Sequence, residues 1–82
     1  MIKNTLPLKI QITKIKNGKV VRMYPTPRKM SLFVTNKAKT LLNKGFKINI
    51  KVFYKEGGDN EIKDCSMADL IWANKAFVKE YL

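Results

Sequence analysis

The chain has 82 residues, a formal charge of +11 and 45% apolar residues, which describes one small folded domain and excludes both a disordered basic tail and a second core. It has one cysteine and no histidine, so an intrachain disulfide, a two-cysteine metal motif and a histidine-based catalytic group are all ruled out. No apolar run reaches the length of a membrane span, and Met1–Ile10 is too interrupted by Lys3, Asn4, Pro7 and Lys9 for a secretory signal, so a reducing, cytoplasmic setting is expected.

The charge is unevenly placed. Residues 1–55 carry fourteen Lys or Arg and no acid, while all six acids follow. Fifteen of the seventeen cations are lysine, a point charge rather than the bidentate fork of arginine, which favours sequence-tolerant anion binding. The abundance of Lys, Asn and Ile also fits an AT-rich genome, such as that of a phage or other mobile element.

In chain order, Leu8–Thr13 alternates apolar and polar, Val20–Tyr24 is rich in strand formers, and Asn17-Gly18 between them supplies the two positive-φ positions of a type I′ turn. This predicts a β-hairpin with Lys16 opposite Lys19, Ile15 opposite Val20, Thr13 opposite Arg22, Ile12 opposite Met23 and Gln11 opposite Tyr24. Leu8, Ile10, Ile12, Val21 and Met23 then share a core face, and Lys9, Gln11, Thr13, Arg22 and Tyr24 a wet one. Lys14 falls on the apolar side near the tip unless a bulge shifts the phase. Lys14, Lys16 and Lys19 gather at that tip.

Thr26-Pro27 suits a helix cap followed by a first-turn proline, and Met30, Val34, Ala38, Leu41 and Leu42 recur at helical spacing up to Gly45. Asn36–Lys44 is expected to be helical, whereas the β-prone Ser31–Thr35 leaves residues 28–35 open between helix and strand. Phe46–Lys55 is the clearest strand, with Phe46, Ile48, Ile50, Val52 and Tyr54 inward and Lys47, Asn49, Lys51, Phe53 and Lys55 outward. Glu56–Asn60 reads as a turn, and Glu61–Cys65 as a short return strand. Ser66 with Asp69 forms a cap, and Met67–Leu82 a helix whose apolar face holds Met67, Leu70, Ile71, Ala73, Phe77, Val78, Tyr81 and Leu82, with Asn74 among them.

The expected fold is α+β, a small antiparallel sheet in the order β-β-α-β-(β)-α with two helices on one face. The order resembles that of single-sheet RNA-binding modules in architecture alone; their aromatic signature motif is missing and no family follows.

If the strands join one sheet with an uncovered side, cations, rings and amides collect there, as single-stranded nucleic acid requires of a partner. The polyanion-binding candidates are Lys9, Lys14, Lys16, Lys19, Arg22, Tyr24, Lys47, Lys51, Phe53 and Lys55. Trp72, thrown to the polar side of the last helix with Lys75 and Lys79, is a partner-binding candidate. The five acids from Glu56 to Asp69 lack the spacing of a calcium loop or a two-metal centre, the Glu61-Ile62-Lys63 match to a nuclease fragment is too short to carry weight, and no metal or other cofactor is expected. Cys65 beside Asp64 is a poor nucleophile, and no catalytic constellation is present. The first expectation is therefore a non-enzymatic nucleic-acid-binding protein, for DNA or RNA. The second is an inhibitor or adaptor whose basic face meets an acidic or nucleic-acid-binding surface of a host protein. A self-associating role through Trp72 is the third, the chain being a monomer or a homodimer.

Overall fold

The structure, a computed structural model, describes residues 7–79. Seven elements follow in order: β1 (Pro7–Lys16), β2 (Lys19–Met23), α1 (Pro27–Asn36), α2 (Ala38–Asn43), β3 (Lys47–Tyr54), β4 (Asp59–Ile62) and α3 (Met67–Lys79). The strands form one antiparallel sheet in the order β2-β1-β3-β4. The fold is α+β.

The hairpin has the expected register, from Lys16 opposite Lys19 to Ile12 opposite Met23. Asn17 and Gly18 take φ of 52° and 77°, the two left-handed positions that a I′ turn demands. Lys14 stays in phase opposite Val21 and Ile48, without a bulge; the irregularity lies between Pro7 and Lys9 instead. Leu8 sits at that irregularity and is 53% exposed rather than in the core. Val21 is also exposed, on the edge strand β2.

Residues 28–35 are helical. Thr26 caps α1, its hydroxyl accepting from the Lys29 N–H at 3.2 Å, and Pro27 occupies the first turn. The β-propensity of Ser31–Thr35 is overridden because Met30, Phe33 and Val34, at helical spacing, bury together against the sheet. The expected Asn36–Lys44 helix is divided: Asn36 ends α1, Lys37 turns to φ −122°, and α2 begins at Ala38. Lys37 is neither glycine nor proline, so the corner has no breaker behind it. At the end of α2, Phe46 N–H donates to the Leu41 carbonyl and Gly45 N–H to that of Leu42, both at 3.1 Å. With Gly45 at φ 92° this is a Schellman stop.

β4 starts and ends earlier than the expected Glu61–Cys65. Gly57 and Gly58, both at positive φ, tighten the turn so that Asp59 and Asn60 join the ladder. Asp64 then takes φ 51° and leads the chain out of the strand. Ser66 and Asp69 cap α3 reciprocally: the Asp69 carboxylate accepts from the Ser66 N–H at 2.9 Å, and the Ser66 hydroxyl accepts from the Asp69 N–H at 3.2 Å. The buried face of α3 is narrower than the pattern suggests. Leu70, Ala73 and Phe77 are buried, but Ile71 at its flank is exposed. Asn74 is half-buried and its carbonyl accepts from the Ser31 hydroxyl at 3.1 Å, tying α3 to α1. The side chain of Val78, and all of Tyr81 and Leu82, fall outside the described residues.

One core joins Ile10, Ile12, Ile48, Ile50 and Val52 of the sheet to Met30, Phe33 and Val34 of α1, Ala38 of α2, and Leu70, Ala73 and Phe77 of α3. All three helices therefore lie on the same side of the sheet.

Candidate nucleic-acid interface

Strand parity sets what the other side displays. With Ile10, Ile12, Ile48, Ile50 and Val52 turned to the helices, Lys9, Gln11 and Thr13 of β1 and Lys47, Asn49, Lys51 and Phe53 of β3 face away from them. The register then builds rows across the sheet. Arg22, Thr13 and Asn49 form one, Gln11, Lys51 and Glu61 the next, and Lys9, Phe53 and Asp59 a third.

The third row and its neighbours make the most organised part of this open face. Lys9 Nζ lies 5.2 Å from the ring centroid of Tyr24 and 5.0 Å from that of Phe53, while Lys51 Nζ lies 5.7 Å from Phe53. Gln11 Nε2 donates to the Tyr24 hydroxyl at 2.6 Å, holding the ring over β1. An ammonium against a ring is stabilised by about 0.5–1 kcal/mol at an exposed site. That is weak enough for the lysine to swing away towards a phosphate and uncover the ring.

The first row, that of Arg22, Thr13 and Asn49, is committed to structure. Thr13 is buried, and Asn49 Oδ1 accepts from the Asp64 N–H at 2.9 Å, clasping the loop after β4. Arg22 alone presents a free polar end there. Towards the hairpin tip the face becomes more apolar, with Val20, Ile15 and Lys47 in register.

The ten polyanion-binding candidates do not share one surface. Lys9, Arg22, Tyr24, Lys47, Lys51 and Phe53 stand on the open face, and Lys55 is exposed in the turn beyond β3. Lys14, Lys16 and Lys19 project to the helix side, where they line a shallow depression with Asn17, Val21 and Phe46. Lys16 Nζ lies 5.1 Å from the Phe46 ring centroid. In-phase pairing forces this split, since Lys14 and Lys16 share parity with Ile12.

Sequence reasoning missed the carboxylates of Asp59 and Glu61, which border the same open face beside Phe53 and Lys51. The Gly57-Gly58 turn was the available signal, because a tight return folds the acidic strand directly onto β3. Trp72, 61% exposed, and Lys75 belong to the helix layer, across the sheet from the open face. The side chain of Lys79 is outside the described residues.

Cys65 is buried, its thiol donating to the Ile62 carbonyl at 3.3 Å. Burial, with added repulsion from the Asp69 and Asp64 carboxylates, pushes the thiol up to about 11. Such a group is a packing residue, not a nucleophile. Among the described residues, no three His, Cys, Asp or Glu side chains gather to hold a metal ion, and no helix is long and apolar enough to cross a membrane. Comparison with protein families, with curated proteins and with solved structures finds no match.

Proposed function

We propose that this protein is a non-enzymatic domain that binds nucleic acid, with little base preference, on the open face of its sheet. One observation carries the reading: Tyr24 just beyond β2, Lys9 on β1, and Phe53 and Lys51 on β3 alternate ring and ammonium. Phosphates call for the ammonium groups and bases for the rings, and stacking on a ring tolerates any base. Arg22 and Lys47 extend the positive track along the face.

The test is a fluorescence titration of the protein against a short single-stranded oligonucleotide at several salt concentrations. With about four to six phosphates neutralised, log affinity falls against log salt with a slope of roughly −3 to −4. Reversing Lys9, Lys47 and Lys51 to Glu abolishes binding. A salt-insensitive signal, or none, removes the proposal.

Trp72 favours a second reading, an inhibitor or adaptor of phage or mobile-element origin that docks on an acidic protein surface. An exposed tryptophan beside Lys75 has the character of an interface anchor. One stoichiometric protein retained after nuclease treatment, and lost on Trp72→Ala, would select this reading over the first.

A further inference from the structure

The two edges of the sheet are opposite in charge. β2 carries Lys19 and Arg22 and no acid, whereas β4 carries Asp59 and Glu61 and no cation. Four of the five residues of β2 and three of the four of β4 are exposed, so both strands have free backbone on their outer sides. An edge of this kind is a template for another strand.

Direction and parity make the two edges fit each other. Every neighbouring pair in β2-β1-β3-β4 is antiparallel, so β2 and β4 run in opposite directions. A second copy set beside the first in the same orientation therefore brings its β2 antiparallel to β4, and the sheet continues unbroken. In the register that sets Arg22 opposite Glu61, Val21 meets Ile62 and Met23 meets Asn60. The faces agree: Arg22 and Glu61 both lie on the open side, and Val21 and Ile62 both lie on the helix side. The contact covers Val21, 45% exposed in the single copy, with a half-buried isoleucine. Like edges repel, since two β2 strands would crowd four cations and two β4 strands four carboxylates.

We infer that copies of this chain associate edge to edge, the β2 of one on the β4 of the next. The contact is heterologous and does not close, so it extends into a row. It stands independently of what the open face binds. The net charge of +11 opposes it at long range, but at about 0.15 M salt that repulsion is screened beyond roughly 8 Å, while the paired strands touch.

Sedimentation velocity across a concentration series at this salt tests the inference with two variants, Arg22→Glu and Glu61→Arg. Both residues are exposed and outside the core. The wild type sediments faster as concentration rises. Each variant alone places like charges across the contact and stays monomeric, its association weakened by about tenfold or more. An equimolar mixture restores a complementary pair at every junction and regains the wild-type behaviour. A wild type that remains monomeric into the millimolar range overturns the inference. So does a variant that associates undiminished, or a mixture that fails to recover.

Discussion

The two faces of β1 and β3 are made by the same residues in alternation, yet they obey different physics. The helix side holds Ile10, Ile12, Ile48, Ile50 and Val52 at almost no exposure, in one apolar cluster with the buried residues of the three helices. The open side, one residue out of phase, holds Lys9, Gln11, Lys51 and Phe53 in contacts of cation with ring and amide with hydroxyl. The lesson is that a single step along the strand separates what makes the fold from what is free to meet a partner.

The harshest way to break that contrast is to put the chemistry of one face on the other. Ile50→Asp buries a carboxylate with no partner among Ile12, Ile48 and the helices, a cost of several kcal/mol that exceeds what so small a core can bear. The expected outcome is loss of the cooperative thermal transition in circular dichroism. A variant that still melts cooperatively within a few degrees of the wild type would contradict the placement of this core.

A milder probe uses Cys65, which packs on the same buried side. Its thiol is raised from 9.0 to about 11 in the folded protein, so the folded state holds this proton more tightly than the unfolded state does. The stabilisation is complete below pH 9 and is lost as pH rises from 9 through about 11, up to roughly 3 kcal/mol. Thermal melts across this window should fall more steeply for the wild type than for Cys65→Ala. Parallel curves would show that the thiol is not desolvated as described.

The gentlest change sharpens the comparison. Lys51→Gln, next in the chain to Ile50, alters stability by no more than about 0.5 kcal/mol, because its half-buried side chain rests on Phe53 rather than in the core and a neutral amide leaves no like charge opposite Glu61. The same substitution weakens oligonucleotide binding several-fold in the proposed function. A large loss of stability here would mean that Lys51 is structural.

Much of this architecture was legible beforehand, and the reasons are local. Asn17-Gly18 admits only one tight turn, and the turn dictates five cross-strand pairs. Thr26-Pro27 and Ser66 with Asp69 announce helix starts because each satisfies a free backbone N–H from nearby. What escaped depended on distant parts. The corner at Lys37 has no local breaker, and the start of β4 was set by the closure of Gly57 and Gly58 against Tyr54, whose N–H donates to the Gly58 carbonyl at 3.3 Å. The separation of Lys14, Lys16 and Lys19 from the open face was implicit in strand parity. Treating the hairpin tip as one cluster of charge concealed it.

The sheet order has one more consequence. Every acid among the described residues comes from Glu56 onward, on β4, the turn before it, the loop after it and the first turn of α3, while β2, β1 and β3 carry only cations. The sheet is thus graded in charge from one edge to the other, positive at β2 and negative at β4. In the field of a polyanion such a body is rotated during diffusion, before any contact forms, and arrives with the hairpin leading. Ionic strength will therefore act first on the speed of encounter.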